Sequence, residues 1–280
     1  MKKISVVIPA YNEEDVIIDC LSSLDKQTHS NFEVIIVDDG STDKTPKLVK
    51  GFNPNKYKLV IIKQNHKGPG AGRNLGSERA TSEILVFVDA DMTFDKDFLE
   101  KLVKPIDSGE EKGTFSKEEH VSNWGNIWAK CWNINEGWAD KRRHPANYPD
   151  KQKVFRAILK SEFDKVDGFD PGGYTDDYSL SEKLGYEAVV AKGARFYHKN
   201  PSSLFEIFKH AKWVGKRPYK LGVLGCMVAL IRASLPVSLI VGLFKSIIKL
   251  QPAFLIFKVV YDFGIFLGIL EYIFLKKQSK

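Results

Sequence analysis

The chain has 280 residues, 43% of them apolar, a formal charge of +7 and a pI near 9.0. That length suits one α/β domain of roughly 200–250 residues plus an appendage, and the apolar content excludes a disordered or collagenous chain. Lys and Arg recur throughout and thicken around Lys209–Lys220 and in the C-terminal tail, which suits a membrane surface or a phosphorylated ligand better than a nucleic-acid groove.

Cys20, Cys131 and Cys226 are far apart and form no CxxC pair, so neither a disulfide framework nor a zinc site is expected, and the compartment is read as reducing. The start, Met1 to Ile8, imitates a leader peptide, but Pro9 ends its apolar run and Glu13, Glu14 and Asp15 follow, so it is read as a first strand. Asn12 and the acids after it open a helix whose Val16, Ile17, Cys20, Leu21 and Leu24 recur at helical spacing. A second strand, Glu33–Val37, breaks into Asp38, Asp39, Gly40 and Ser41, with Pro46 near the start of the next helix. A third, Lys58–Ile62, leads through a Gly-rich loop, 67–74, into a helix that reaches Ala80. Strand and helix therefore alternate from the first residue, the pattern of a right-handed, mostly parallel sheet.

The fourth predicted strand, Ile84–Asp89, is a short apolar run that ends on two acids one residue apart, Asp89 and Asp91. Such a run reads as a strand buried on both faces, whose C-terminal end opens on the crevice where α/β proteins bind ligands. Alternation along a strand would point both acids the same way, and two close carboxylates call for a cation between them, commonly a divalent one with a phosphate on its far side. Taken alone, Asp-x-Asp better describes a solvated strand end or a helix cap. Its context adds Tyr11, Glu13, Asp38 and Asp39 from the other strand ends and Arg73 from the Gly-rich loop. That loop is neither a Walker A motif nor a dinucleotide fingerprint.

Four segments in order, Ser5–Glu14, Val37–Asp43, Gly68–Asn74 and Val88–Asp91, resemble the successive signatures of family-2 glycosyltransferases. The resemblance covers about residues 3–215 and is least marked over 110–152. It implies a GT-A nucleotide-sugar-binding fold: a mostly parallel central sheet flanked by helices, here followed by an apolar helical pair. It also implies a nucleotide-diphosphate sugar donor, a UDP-sugar first and a GDP-sugar as the alternative, with Mn²⁺ or Mg²⁺ as cofactor. By position, Pro9, Ala10, Tyr11 and Glu13 would line the nucleoside pocket, Asp38 and Asp39 would meet the base, and Gly70 and Arg73 would support the nucleotide. Asp89 and Ala90 would lie against the sugar nucleotide, Asp91 would be a direct metal ligand, and Asp89 would also touch the metal. A hard cation accepts such carboxylate oxygens and stabilises the charge that grows on a departing diphosphate.

Between Glu110 and Asp150 the alternation stops. Trp124, Trp128 and Trp132 recur every four residues, followed by Trp138 and the basic group Lys141, Arg142 and Arg143. Two readings stay open: an acceptor-binding helix or flap, or an amphipathic helix burying its tryptophans. A strand over Lys153–Leu159 and a short helix lead to Thr175, Asp176 and Asp177, which open another helix. Acids there are ordinarily caps. In the family an acid followed by Asp at this place supplies the general base, which assigns Asp177 as base and Asp176 as its positioning neighbour. In an inverting transfer the acceptor hydroxyl becomes acidic only as the new bond forms, so an ordinary carboxylate can accept its proton.

A base implies a hydroxyl acceptor rather than a lipid phosphate, and Thr93 stands where polyprenyl-phosphate sugar synthases carry a metal-loop glutamine. His198, after a strand over Ala194–Tyr197, matches a position where relatives place a further metal or diphosphate contact. Lys209 to Trp213 only faintly resembles the Gln-x-x-Arg-Trp motif of processive synthases, with Lys at both polar positions. Leu221–Phe244 carries one charge, Arg232, and Pro236, whereas Ala253–Leu275 contains Lys258, Asp262 and Glu271. A span needs roughly 20 apolar residues and central charges are costly, so the first segment could span and the second is compromised; the two read as a helical hairpin or as interfacial amphipathic helices, with a soluble helical pair packed on the sheet or in a dimer as the alternative.

The expectation is a metal-dependent inverting glycosyltransferase acting on a hydroxyl-bearing glycan or lipid-linked acceptor, membrane-associated with its catalytic domain facing the cytoplasm, and binding no nucleic acid. Residues 1–215 would be the catalytic domain, with a nucleotide-binding half over 1–109 and an acceptor-binding half over 110–215, and residues 216–280 the membrane-associated helices. The alternatives are a polyprenyl-phosphate sugar synthase and a non-catalytic nucleotide-sugar or glycan-binding protein on the same fold. A nucleotidyltransferase is disfavoured, because no Gly-rich basic loop follows the first strand.

Overall fold

A computed structural model describes residues 2–170 and 176–275, with Asp176 described by its backbone only. The chain forms two compact units, one from residues 1–120 and 147–198, the other from 121–146 and 199–280. In chain order the first segment runs β1 (Ile4–Ala10), α1 (Ile17–Leu24), β2 (Phe32–Asp38), α2 (Thr45–Gly51), β3 (Lys58–Lys63), α3 (Pro69–Arg79), β4 (Ile84–Phe87), β5 (Met92–Phe94), α4 (Phe98–Asp107), β6 (Gly113–Phe115) and β7 (Glu119–Val121). After α5 (Ile127–Glu136) come β8 (Lys151–Gln152), β9 (Ala157–Leu159), α6 (Lys160–Asp164), α7 (Asp176–Leu184), β10 (Ala188–Val190) and β11 (Phe196–His198). The chain then continues in four helices, α8 (Leu204–Gly215), α9 (Gly222–Arg232), α10 (Leu235–Ile248) and α11 (Ala253–Leu275).

The first unit is built on an eight-stranded sheet in the order β3-β2-β1-β4-β9-β6-β10-β8. β1 lies parallel to both β2 and β4, and β2 parallel to β3, while β9 and β8 run antiparallel to their neighbours. The expected mostly parallel sheet is therefore present. The inner strands β1, β2 and β4 read as largely apolar runs because both their faces are buried. Ile4, Val6 and Ile8 of β1, with Val34, Ile36, Ile84 and Val86, pack against Ile17, Leu21 and Leu24 of α1 and Leu99, Leu102 and Ile106 of α4. The alternate residues Val7, Ile35, Val37, Leu85 and Phe87 face the other way, into a cluster with Phe163, Phe169 and Leu180. A one-residue slip would exchange the two sets, so the register is strongly specified. β3 forms one edge, and Lys58 and Lys63 at its ends blunt it. A second sheet, β5-β11-β7, has three strands.

Two predicted strands are shorter than expected. The fourth ends at Phe87. Residues 89–92 then form a turn closed by Met92 N–H donating to the Asp89 carbonyl, so strand alternation does not govern where Asp89 and Asp91 point. Of the strand expected over Lys153–Leu159 only Ala157–Leu159 forms, as β9; β8 lies before it, and residues 153–156 are in neither. Arg156 in this gap keeps its backbone engaged, accepting from Phe87 N–H and donating to the Thr114 carbonyl.

The second unit is helical. Trp132 of α5 is 4% exposed, packed edge-on against His210 of α8 and Phe257 and Tyr261 of α11. Of the two readings of the Trp-rich segment, packing describes Trp132, and Trp128 and Trp138 join the same cluster from its margin. α8 and α11 touch backbone to backbone. A Cβ added at Gly268 would lie 2.2 Å from the Lys212 carbonyl oxygen, and one at Gly264 2.8 Å from that of Phe208. This small-residue seam is a way for helices to approach closely in an apolar surrounding.

The predicted apolar pair has a different division of labour from the one expected. Leu221–Phe244 is broken at Ala233 and Ser234 into α9 and α10, bent by 57°. Pro236 sits in the first turn of α10, where the ring is tolerated and a continuous helix is not. The 23-residue α11 is the unbroken one, long enough to cross a bilayer. Its charges are neutralised in place: Lys258 Nζ lies 2.7 Å from Asp262 Oδ1, and Lys212 and Lys216 both reach Glu271.

Candidate active site

The site is assembled within the first unit from the loops at the C-terminal ends of β1, β2, β3 and β4. The β1 loop is tied to the β2 loop by short polar side chains. Asn12 takes a left-handed conformation, φ 56°, and its Oδ1 accepts from Thr42 N–H at 2.8 Å, while Glu13 N–H donates to Thr45 Oγ1 at 2.8 Å. Asp38 Oδ1 accepts from Ser41 N–H at 3.0 Å, which closes the β2 turn. Asp39 is 2% exposed and serves as a hub. One of its oxygens accepts from Lys67 N–H and Gln64 Nε2, the other from Gly68 N–H at 2.9 Å and lies 3.0 Å from His66 Nδ1. The His66 ring in turn stands 4.1 Å from that of Tyr11, which is 42% exposed. Tyr11, His66 and Asp39 thus form one continuous wall, with an aromatic face open to solvent.

The Gly-rich segment explains how a cation comes to lie beneath this wall. Gly68 has φ +93°, which L side chains resist. α3 then lies close on the sheet, since a Cβ at Gly72 would meet Pro9 at 3.0 Å and one at Gly76 would meet Val7 at 2.4 Å. Gly70 is buried in the first turn, and Arg73, one turn on, is 4% exposed. Its guanidinium spans two carboxylates, with Nη2 2.9 Å from Asp89 Oδ1 and Nη1 2.5 Å from Asp177 Oδ1 at the start of α7. Asn74 holds the approach to that helix, donating to the Phe169 carbonyl at 2.7 Å and accepting from Phe169 N–H at 2.9 Å.

Asp89 is held by two arginines, because Arg156 Nη1 lies 3.2 Å from its other oxygen. Burial works to raise its pKa, but Arg156, Arg73 and His198 overcome it and hold the carboxyl well below the usual range. Asp91 points elsewhere: its Oδ1 lies 3.2 Å from His198 Nε2, and His198 Nδ1 lies 2.5 Å from Glu119 Oε1. Glu13 completes the acidic side. Burial, reinforced by Asp91, Asp89 and Asp43, raises its pKa from 4.5 to about 7.

Of the residues singled out in the sequence, the structure brings Asp89, Arg73 and Asp177 into one ion-paired chain, Asp91 and His198 into a second cluster, and Tyr11 beside Asp39. Pro9 and Ala10 end β1 behind them, and Ala90 is buried in the turn between the two acids. The side chain of Asp176 and all of Thr175 lie outside the described residues. Sequence reasoning missed Arg156, Glu119, Gln64 and His66. None stands in a motif; each reaches the site by tertiary placement, and only His66, directly before the Gly-rich loop, lay close to a recognised signature.

Among the described residues no group of three or more His, Cys, Asp or Glu is arranged to hold a metal ion. Asp91 and His198 nevertheless fit a divalent cation as a pair of donors on one side, with Glu119 behind the imidazole as carboxylates stand behind metal-bound histidines. Mg²⁺-type sites characteristically use one or two carboxylates and take the remaining oxygens from substrate phosphates and water.

Comparison with known proteins identifies the family and the fold. The family model for glycosyl transferase family 2 matches residues 5–167. Glycosyltransferase GlyA of Streptococcus pneumoniae is 36% identical over 104 residues, covering 37% of this chain and 15% of the relative. The Staphylococcus aureus poly(ribitol-phosphate) beta-N-acetylglucosaminyltransferase TarS is 40% identical over 111 residues, covering 38% and 19%. The chain therefore aligns with under a fifth of the length of each of these two relatives. Among solved structures, TarS 1-349 with UDP-GlcNAc superposes with a TM-score of 0.60 at 20% identity, over 99% of this chain and 93% of that one. The mannosyltransferase PcManGT from Pyrobaculum calidifontis, with GDP-Man and Mn²⁺, gives 0.61 at 17% identity, over 99% and 88%. Both likenesses are of fold.

Proposed function

The chain belongs to glycosyl transferase family 2, and on that premise we propose that it is an inverting glycosyltransferase that moves a sugar from a nucleotide-diphosphate donor to a hydroxyl acceptor. The observation that carries this reading is the chain Asp177–Arg73–Asp89. One guanidinium bridges a carboxylate at the start of α7 and the acid in the turn after β4, so a candidate base and a candidate donor contact belong to one site. Tyr11 and His66 offer an aromatic face for the nucleotide base, with Asp39 behind them. Arg73 and Arg156 supply positive charge toward the diphosphate. Asp177 accepts the proton of the attacking hydroxyl late, as the bond to the anomeric carbon forms and the diphosphate leaves from the opposite face. Asp91 and His198 would hold Mn²⁺ or Mg²⁺, which when bound would stabilise charge on the leaving diphosphate.

The donor is read as a UDP-sugar first and a GDP-sugar second, in keeping with the ligands named for TarS and PcManGT. The acceptor is read as a lipid-linked or cell-surface glycan. Relatives named for poly(ribitol-phosphate), TarS and a beta-glucosyltransferase of Bacillus spizizenii, support a surface polymer. We further propose that residues 1–215 are the catalytic domain, divided near 109, and that 216–280 attach it to the cytoplasmic face of a membrane. The test is Asp177→Asn: donor binding should persist while transfer falls at least a hundredfold, the range typical of a lost general base. Near-normal turnover would refute the assignment.

A further inference from the structure

The helical unit is built inside out. α10 buries Ser238, Gly242 and Ser246, spaced four residues apart: Ser238 Oγ donates to Asp262 of α11 at 2.6 Å, and a Cβ at Gly242 would meet Leu255 at 2.9 Å. Its large side chains Leu239, Ile240, Leu243, Phe244 and Ile247 point outward and are exposed, and α9 likewise exposes Val223, Leu224 and Ile231. A helix in water does the reverse, so this continuous apolar surface marks a membrane or a partner. Charge chooses between them. Residues 121–146 and 199–280 hold 17 Lys and Arg against 5 Asp and Glu, a formal +12, which leaves −5 on the rest of a chain of net +7. That sum holds however the individual charges pair. A second copy would set +12 against +12, whereas anionic headgroups complement it.

The packing decides how deep such a unit can enter. The 23 residues of α11 span about 35 Å, little more than the roughly 30 Å of bilayer hydrocarbon, so helices packed along it would have to enter with it. α5 covers its first half, with Trp132 against Phe257 and Tyr261, and α8 covers its second half at Gly264 and Gly268. Both carry exposed charges, Glu136 on α5 and Glu206 and Lys209 on α8, which hydrocarbon would not accept. α9 and α10, about 17 and 21 Å long and bent by 57°, are each too short to cross. As one broken span they would place Arg232 near its middle. Lying flat, they put the exposed Lys220, Arg232 and Lys249 at the start, the bend and the end of the pair, where long basic side chains reach headgroups.

We propose that the helical unit binds one leaflet of an anionic membrane, with α9 and α10 in the plane of the interface and α11 not crossing. The proposal rests on the reading of residues 216–280 as a membrane attachment and is independent of the transferase reading. Its test floats full-length protein with sealed vesicles of dioleoyl phosphatidylcholine, alone or mixed with about a third dioleoyl phosphatidylglycerol. Binding should be at least tenfold tighter with the anionic lipid and should weaken with salt. Lys220→Gln/Arg232→Gln/Lys249→Gln should lose at least tenfold, and Phe244→Asp/Ile247→Asp, which alters only exposed side chains, should abolish binding. The control Lys26→Gln/Lys47→Gln/Lys50→Gln, at exposed lysines of the first unit, should stay within twofold of wild type. Equal binding to both vesicles, or an equal loss in the control, would overturn the proposal. Depth is read from a nitroxide attached to Ile240→Cys or Phe263→Cys, since the native cysteines are buried. Both labels should lie within about 10 Å of the headgroup boundary. A label at residue 263 near the midplane, about 15 Å down, would show that α11 crosses, which overturns the one-leaflet geometry and leaves the attachment standing. Failure to bind any vesicle, with a lipid-free dimer that Phe244→Asp/Ile247→Asp disperses, would overturn both and assign the face to a second copy.

Discussion

Glu13 offers a sharp test of the electrostatics at the donor site. In the fold its carboxyl is held near 7 instead of 4.5 by burial and by the acids Asp91, Asp89 and Asp43. Below pH 4.5 it is protonated whether the chain is folded or not. Between 4.5 and 7 the folded protein keeps a proton that the unfolded chain releases, so stability falls as pH rises through this window and is level above it. At 1.36 kcal/mol per pH unit the full effect would be about 3.4 kcal/mol, and because the side chain is only half-buried, solvent screening reduces it to about 1–2 kcal/mol. Glu13→Gln removes the titration. Urea unfolding of both forms from pH 4.5 to 8, with a chelator present, should give matching stabilities at the acid end and a variant more stable by about 1–2 kcal/mol at pH 8. Parallel curves, with no divergence between pH 5 and 7, would show that the acids around Glu13 do not act on it, and the cluster as described would be wrong.

Three further outcomes are expected. Arg73→Met leaves Asp89 and Asp177 without their shared cation. Breaking a buried pair costs about 3–5 kcal/mol, and the partial exposure of both acids lowers this to about 2–3 kcal/mol, readable as a shifted urea midpoint. Glu119→Gln should weaken Mn²⁺-dependent UDP binding by about 10- to 100-fold while metal-independent binding changes less, since the carboxylate sits directly behind His198; equal loss in both would point to a general structural role. Gly268→Ala drives a methyl against the Lys212 carbonyl and should destabilise the second unit by about 1–3 kcal/mol, seen as earlier loss of α8 and α11 protection in hydrogen exchange and no change in the first unit.

Much of the first unit was legible in the sequence because a strand buried on both faces leaves an unbroken apolar run, and because a chain leaving such a strand must turn with Gly, Ser, Asp or Pro. Those two signals placed β1 to β4, their order, and the acids at their ends. The Gly-rich loop also pointed to Arg73, while the close approach of α3 at Gly72 and Gly76 became visible only in the fold. Periodicity could not show that the β4 run stops at Phe87, because Val88 is as apolar as the residues before it. The consequence was large: Asp89 and Asp91, expected to share one direction, serve different partners, two arginines for one and His198 for the other.

The rest was decided by contacts between residues far apart in the chain. Arg156 reaches Asp89 across 67 positions and Glu119 reaches His198 across 79, and a lone Arg or Glu beside a short strand carries no local mark of either. The same holds for α11, where composition counts Lys258, Asp262 and Glu271 as obstacles to an apolar span. Lys258 and Asp262 meet one turn apart within α11, whereas Asp262 gains Ser238 and Glu271 gains Lys212 and Lys216 only when helices pack. Local sequence therefore determined which strands are buried, where the chain turns and which acids stand at the strand ends. Tertiary structure decided which charges meet at the site, Arg73 and Arg156 at Asp89 and His198 at Asp91, because the energy of an ion pair depends on separation in space and burial, and neither is fixed by distance along the chain.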